Sequence, residues 1–228
     1  ALGANYAVMP ISESYELTVK QLEQTPIIHL ADGSSFNLQL SGLIKENIQA
    51  RDRGARVIAA ASAAFGGAFS CNSNKAELAI GYATFYGDIC GAIAMIGDLW
   101  KHQVYALGRY LNEEVYKRKV IPEAIFNIRP SAELSDAQTV GNGGDPLVYS
   151  YHDYLLRAFI ENWHKTTPAD ILRWYKAGTL AAELGCTQEA IDEACPDTAA
   201  LIADLERWWK LFAGFAVAKR IQAPPVLS

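Results

Sequence analysis

The chain of 228 residues has few cysteines, no long apolar run and no excess of positive charge. The cysteines form no CxxC pair and have no companion histidine at zinc-binding spacing, so we expect unpaired thiols in a reducing cytoplasm rather than a zinc site. They are Cys71, Cys90, Cys186 and Cys195. The longest apolar stretch, residues 57–71, is too short and too rich in alanine and glycine to cross a membrane. A formal charge of −5 argues against nucleic acid as the main partner.

The residues that are present describe a globular protein with a sizeable core, because 50% are apolar and 20% are charged. Residues 6–11 predict a buried strand, residues 14–22 a short helix, and residues 25–40 a loop. Residues 43–65 carry an apolar face at helical spacing, and a short strand is predicted at residues 68–71. This strand–helix–strand order favours a parallel α/β sheet, in which ligands gather beyond the carboxyl ends of the strands.

The second half of the chain reads as helical. A helix is predicted at residues 98–112 and a short one within 122–138, and the chain loosens at "VGNGGD". Four more helices follow, at residues 151–164, 168–184, 187–194 and 198–219. We predict one domain with an α/β nucleotide-binding core over residues 1–144 and a helical extension over residues 145–228. A helix-turn-helix is disfavoured because its second helix would be acidic.

The segment after the predicted strand at 68–71 is unusually polar. Asn74 and Glu77 have the spacing of a helix capping box. The same helix start could attract an anionic ligand through its free N–H groups, with the Glu77 carboxylate holding magnesium or a ligand hydroxyl. Both interpretations can hold at once.

Three further residues have a structural and a functional interpretation. Asp88 precedes an apolar run, so its carboxylate needs either a structural donor or a substrate group. Lys101, in the first turn of a helix, is either solvated or directed at phosphate. Ser131, in "RPSAEL", is either a cap or turn residue or a ligand contact. The basic pair in "AKRIQAPPVL" suits the end of a helix without any function.

Five segments occur in series along the chain, and together they resemble NAD⁺ synthetases, specifically the synthetase domain of the glutamine-dependent enzymes. They are "ENIQAR" (46–51), "NSNKAELAIGYATFYGD" (72–88), "GDLWKHQVYALGRYLN" (97–112), "RPSAEL" (129–134) and "AKRIQAPPVL" (218–227). The resemblance implies an adenine-nucleotide hydrolase-like, three-layer α/β sandwich with a parallel sheet. It also implies a cytoplasmic homo-oligomer without nucleic-acid or membrane partners.

The activity implied by the resemblance is the amidation of deamido-NAD⁺ to NAD⁺. ATP is the co-substrate, Mg²⁺ the cofactor, and a glutaminase domain supplies the ammonia. The carboxylate would be adenylated first, and ammonia would then displace AMP.

The resemblance assigns a role to each matching residue. Asp88 and Lys101 would be catalytic, and Glu77 would serve the metal. ATP would contact Asn72, which stands where the family commonly has threonine, together with Lys101 and Ser131. Deamido-NAD⁺ would contact Asn47, Arg51, Glu77, Tyr82, Ala83, Thr84, Phe85, Asp88 and Lys219.

Three departures from the family pattern limit this expectation. The phosphate-binding SGGxDS loop and the glutaminase domain are absent, and "VGNGGDPL", with Asp145, stands where the family usually has an Asp–Glu pair. We therefore expect a fragment that is missing its first βα unit and is inactive alone. The alternatives are a non-catalytic nucleotide-binding or assembly module, or a related ATP pyrophosphatase. The codons before Ala1 would distinguish the module from the enzyme.

Overall fold

The computed structural model describes residues 3–131 and 144–228. The sequence predictions for residues 132–143, which include the second half of "RPSAEL" and the start of "VGNGGD", lie outside the described residues. The four cysteine thiols are free, as predicted. Within the described ranges, no helix is both long enough and apolar enough to span a bilayer.

The strand predicted at residues 6–11 is wrong. These residues are irregular, and Tyr6 is 88% exposed. A buried strand needs a neighbour that accepts and donates its ladder hydrogen bonds, and no described strand lies beside this segment. Pro10 also lacks the N–H group that a central strand requires. The short helix predicted next is confirmed as α1 (Ser12–Gln24).

The segment predicted as a loop at residues 25–40 contains a small antiparallel hairpin. Its strands are β1 (Ile27–Ile28) and β2 (Ser35–Phe36), with Ile27 paired to Phe36. The tight turn uses Gly33 at φ +70°, a conformation that glycine adopts without steric cost. Both strands are exposed, so no alternation of buried residues marked them in the sequence.

The helix predicted at residues 43–65 is confirmed as one continuous helical segment. It consists of α2 (Gly42–Arg51), a π-helical stretch (Asp52–Ile58) and α3 (Ala59–Ala64). The π-helical stretch carries Gly54, and a Cβ there would lie 2.1 Å from the Gly87 carbonyl oxygen. The missing side chain therefore lets this helix approach the loop at residues 81–88 closely.

A parallel pair of strands includes the residues that directly precede the polar segment at residues 72–88. β3 (Ser70–Cys71) pairs with β4 (Ile93–Ala94), and Ala94 also bridges to Val226 near the C-terminus. The sheets of the described residues are therefore small, and helices dominate the α/β architecture. Helix α4 (Lys75–Ile80) begins directly after β3 and ends at Gly81 in the left-handed conformation, φ +66°.

The remaining helices confirm the helical character predicted for the second half, but the single helix predicted at residues 168–184 is divided in two at Gly178, which adopts the left-handed conformation. They are α5 (Lys101–Tyr110) with a π-helical end (Leu111–Val115), α6 (Glu123–Asn127), α7 (Tyr149–Glu161), α8 (Pro168–Ala177), α9 (Leu180–Leu184), α10 (Gln188–Ala194), α11 (Thr198–Lys210) with a π-helical end (Leu211–Phe215), and α12 (Ala216–Gln222). The single helix predicted at 198–219 is kinked at Gly214, whose dihedral angles are φ −107° and ψ −105°.

One buried cluster joins the two halves of the chain. Ala76 and Ile80 of α4, with Trp100, pack with residues of α7 and α11 such as Tyr151 and Trp208. Burying large aromatic side chains is a major source of folding energy. The cluster therefore holds α4 and α7 as neighbours.

Candidate functional site

Two cavities adjoin each other around the loop at residues 81–88. The first, which we call the Lys101 cavity, has a volume of about 560 Å³ and includes Lys101, Glu77 and Asp145 in its wall. The second, the Lys219 cavity, has a volume of about 350 Å³ and includes Lys219 and Phe85. Tyr82 and Asp88 line both cavities.

Every residue that the sequence predicted for the site lies in the wall of one of these cavities. The Lys101 cavity contains Asn72, Glu77, Tyr82, Asp88, Lys101 and Ser131. The Lys219 cavity contains Asn47, Arg51, residues 82–85, Asp88 and Lys219. The residues predicted for ATP thus line the Lys101 cavity, and those predicted for deamido-NAD⁺ line the Lys219 cavity, except Glu77, which lies in the Lys101 cavity alone.

Glu77 serves as a helix cap and also faces the Lys101 cavity. The Glu77 backbone N–H donates to Asn74 Oδ1 at 3.0 Å, and Glu77 Oε2 accepts from the Asn74 N–H at 3.0 Å, which confirms the predicted capping box. Glu77 Oε1 accepts from the Tyr149 hydroxyl at 3.2 Å. Burial raises the pKa of Glu77, against the opposing effects of the Asn74 N–H and the Lys101 charge.

Tyr149 connects Glu77 to a second carboxylate. Its hydroxyl lies 3.0 Å from Asp145 Oδ2, and the Tyr82 hydroxyl donates to Asp145 Oδ1 at 3.4 Å. Burial and the two carboxylates raise the pKa of Tyr149, which keeps it a neutral donor. A single hydroxyl hydrogen can satisfy only one of the two carboxylates at a time. The carboxylates of Glu77 and Asp145 therefore retain oxygen lone pairs that can bind a cation.

The carboxylate pair fits Mg²⁺ that is shared with a ligand rather than enclosed by the protein. Mg²⁺ in phosphate-binding sites is usually held by one or two carboxylates together with phosphate oxygens and water. Glu77 and Asp145 provide two carboxylates, and across residues 3–131 and 144–228 no group of three or more histidine, cysteine or acidic side chains is placed to hold a metal.

Lys101 differs from the other lysine that begins a helix in this region. Lys75, the first residue of α4, pairs with Asp98 at 2.8 Å and with Glu161 at 2.7 Å. Lys101, the first residue of α5, makes no ion pair within the described ranges, and its ammonium lies 5.2 Å from the ring centre of Tyr149. Its charge is thus available to an anion in the Lys101 cavity.

The loop at residues 81–88 is held by hydrogen bonds to α2. Asp88 Oδ1 accepts from the Thr84 N–H at 2.5 Å, and the Thr84 hydroxyl donates to Asn47 Oδ1 at 2.7 Å. Arg51 Nε donates to the Phe85 carbonyl oxygen at 3.0 Å. Asp88 therefore has a structural donor, one of the two partners that its sequence position allowed.

Lys219 reaches the same loop from α12. Its ammonium donates to the carbonyl oxygens of Gly81, at 2.7 Å, and Ala83. It lies 5.9 Å from the Phe85 ring centre and 5.4 Å from that of Phe215. Burial lowers the pKa of Lys219. The interpretation that this lysine only suits the end of a helix is therefore incomplete, because Lys219 also binds the loop at residues 81–88.

Sequence reasoning did not identify two residues of this region. Tyr149 contacts both carboxylates, and Asp153, one turn later on α7, contacts the start of α5. The available signal was weak: Asp153 is an acidic residue among apolar neighbours in "YSYHDYLL". A buried carboxylate at such a position requires a partner.

Comparisons with known proteins show which family this chain resembles in sequence. The NAD synthase family model matches residues 1–183. The glutamine-dependent NAD(+) synthetase of Xanthomonas campestris pv. campestris is 40% identical over 161 residues, which are 71% of this chain and 27% of that protein. That of Thermotoga maritima is 43% identical over 160 residues, 70% of this chain and 25% of that protein.

A solved structure supports the fold. The glutamine-dependent NAD(+) synthetase from Cytophaga hutchinsonii matches with a TM-score of 0.55 at 18% identity, over 94% of this chain and 29% of that one. The chain spans about a quarter of the length of the curated relatives that it matches. From the extent of the family match, this chain belongs to the NAD synthase family.

Proposed function

We propose that this chain is part of an NAD⁺ synthetase domain, which amidates deamido-NAD⁺ to NAD⁺ with ATP and ammonia derived from glutamine. The observation that carries the proposal is the pair of adjoining cavities with Tyr82 and Asp88 in their shared boundary. A reaction that joins two large nucleotides needs two such spaces, with the reacting atoms meeting where they adjoin.

The Lys219 cavity has the chemistry expected of a dinucleotide site. The Phe85 and Phe215 rings offer faces for stacking, and Arg51 and Lys219 offer positive charge for a pyrophosphate. The hydrogen bond from Thr84 to Asn47 fixes the part of the cavity wall where the loop at residues 81–88 meets α2. We assign this cavity to deamido-NAD⁺, with its nicotinate end toward Asp88.

The Lys101 cavity has the chemistry expected of a triphosphate site. Lys101 supplies a cation without an ion-pair partner in the described part of the chain, and Asn72 and Ser131 supply polar side chains. Mg²⁺, when bound by Glu77 and Asp145, would add positive charge beside the phosphates. We assign this cavity to ATP, within a three-layer α/β sandwich.

The reaction then runs across the shared boundary. A nicotinate carboxylate oxygen attacks the α-phosphorus of ATP, the bond to the β-phosphate oxygen breaks, and pyrophosphate leaves. Lys101 stabilises the charge that develops on the departing group. Ammonia attacks the carboxyl carbon of the adenylate and loses a proton, and AMP leaves. Asp88, oriented by the Thr84 N–H, lies at the nicotinate end, where its carboxylate can accept a hydrogen bond from the attacking ammonia.

The decisive experiment measures AMP and NAD⁺ formed from ATP, deamido-NAD⁺ and ammonia by the full-length gene product. Lys101→Met is expected to lower kcat/KM for ATP by about 10- to 100-fold, the value of a hydrogen bond to a charged group. Lys75→Met is the matched control, because Lys75 also begins a helix but pairs with two carboxylates outside both cavities. Equal losses in both variants would contradict the assignment of Lys101.

Two further outcomes test the extent of the proposal. We expect the 228-residue chain alone to form no product, so turnover by it would contradict the fragment interpretation. If the full-length gene product also formed none while binding ATP, the alternative of a non-catalytic module would be favoured. We also propose a cytoplasmic homo-oligomer, for which sedimentation of the full-length protein at the monomer mass would be the contrary result.

A further inference from the structure

Helix α5, which begins with Lys101, receives no side-chain cap from its own sequence. Its N-cap residue is Trp100, and an indole ring carries no hydrogen-bond acceptor. Gln103 Oε1 accepts from the Trp100 N–H at 2.9 Å, which satisfies only the residue before the helix. The exposed N–H groups of the first turn therefore need an acceptor from elsewhere in the chain.

That acceptor is Asp153 of α7, 51 residues further along the chain. Asp153 Oδ2 accepts from the His102 backbone N–H at 2.9 Å and lies 2.9 Å from His102 Nδ1. A negatively charged side chain at a helix start is also favoured by the helix dipole. Asp153 therefore performs for α5 the capping that a residue at position 100 normally performs.

The Asp153 carboxylate lies at a buried position where a charged group lowers the free energy of unfolding. It is fully buried, and its second oxygen, Oδ1, has no partner among the described residues. A buried carboxylate with an unsatisfied oxygen lowers stability, and a neutral residue would fill the same space at less cost. The position therefore calls for a role beyond packing.

The role follows from what else α7 contacts. Tyr149 lies four residues before Asp153, so the two side chains are neighbours on one face of the helix. The Tyr149 ring centre lies 5.2 Å from the Lys101 ammonium, while Asp153 holds the backbone of the next residue, His102. Helix α7 thus contacts Lys101 at its charged end and fixes the turn from which its side chain departs.

We propose that Asp153 is a positioning residue, which caps α5 from α7 and thereby sets the direction in which Lys101 projects into the Lys101 cavity. The inference rests on the proposed function, since it takes Lys101 to bind the phosphates of ATP. Asp153 itself touches no substrate.

The test is a double-mutant cycle in the full-length gene product, with kcat and KM for ATP as the readout. Asp153→Leu keeps the approximate size and removes the acceptor, and Asp153→Asn keeps an acceptor oxygen. We expect Asp153→Leu to raise KM for ATP about tenfold, as for a lost hydrogen bond to a charged group, and Asp153→Asn to stay within about threefold of the parent protein. In a Lys101→Met background, Asp153→Leu should have almost no further effect, because residues that act through one contact are not additive.

Leu205→Ala is the control for general destabilisation. Leu205 is a buried residue of α11 in the same core, and its truncation should lower the melting temperature without changing KM for ATP. If Asp153→Leu behaved like Leu205→Ala, or if its effect added fully to that of Lys101→Met, the positioning role would be wrong while the assignment of Lys101 stood. If Lys101→Met left the ATP kinetics unchanged, the assignment of Lys101 would itself fail, and the inference with it.

Discussion

Replacing Lys219 by methionine removes the ammonium group through which α12 holds the loop at residues 81–88. Methionine keeps most of the length of the side chain and packs well against aromatic rings, so the contacts with Phe85 and Phe215 are largely preserved. What is lost is the pair of hydrogen bonds to the Gly81 and Ala83 carbonyl oxygens. The substitution therefore isolates the polar contribution of Lys219.

The expected change in the free energy of loop opening follows from the two hydrogen bonds that are lost. A hydrogen bond that involves a charged group contributes about 1.5–3 kcal/mol, so two contribute at least about 3 kcal/mol. The desolvation that lowers the pKa of Lys219 offsets part of this gain. Taking about half as the net value, we expect the loop to open more readily by about 1.5 kcal/mol, which corresponds to roughly a tenfold change in the opening equilibrium.

Amide hydrogen exchange measures this local opening directly. The reporters are the Tyr82 N–H, bonded to the Glu77 carbonyl oxygen at 2.9 Å, and the Gly87 N–H, bonded to that of Thr84 at 3.0 Å. Both should exchange about tenfold faster in Lys219→Met. Lys210→Met, at the exposed end of α11, is the matched control and should leave both rates unchanged.

The reasoning would be refuted by two results. Unchanged exchange at Tyr82 and Gly87 in Lys219→Met would show that the two hydrogen bonds do not hold the loop. Equal acceleration at these amides and throughout α8 and α10 would show that the substitution lowers global stability instead.

Three shorter predictions concern other contacts. His152→Leu leaves the Val148 N–H without its acceptor at 2.8 Å, and urea unfolding should show a loss of about 1–3 kcal/mol; an unchanged midpoint would argue against the contact. Gly81→Ala forces a side chain into φ +66°, with its Cβ 3.0 Å from Ala216 Cα, and should cost about 1–2 kcal/mol by thermal unfolding, whereas an equal melting temperature would be contrary. Burial raises the pKa of Asp153 above its unfolded value, so the stability of the parent protein should fall as the pH rises above about 4 and through the folded-state pKa. Asp153→Asn should show a smaller fall in pH-dependent unfolding curves, because the raised pKa of Glu77 still contributes, and parallel curves would contradict the burial argument.

Features that depend on neighbouring residues could be predicted from the sequence. Asn74 and Glu77 of the capping box lie three positions apart, and the helices predicted to end at residues 65 and 184 are followed by Gly66 and Gly185 in the left-handed conformation. Local signals of this kind work because the cap and the helix that it serves are consecutive in the chain.

Features that depend on distant partners could not be predicted in the same way. The strand predicted at residues 6–11 has suitable apolar residues, but strand formation also requires an edge to pair with. Tyr149 joins Glu77 across 72 positions, and Lys219 joins Gly81 across 138. The residue types in the cavities were reached through the resemblance to a family, whereas these contacts needed the structure.

The two cavities also show why the helical second half belongs to the site. Asp145, just before α7, lines the Lys101 cavity and accepts a hydrogen bond from Tyr149 at the start of that helix, and Phe215 and Lys219 line the Lys219 cavity at the end of the chain. The family match ends at residue 183, before both of the latter residues. A Lys219 cavity without these two residues would lose its second aromatic face and one of its cations. Under the proposed assignment of this cavity, the last helices therefore contribute to the binding of deamido-NAD⁺, in a part of the chain where the sequence resemblance rests on one short motif.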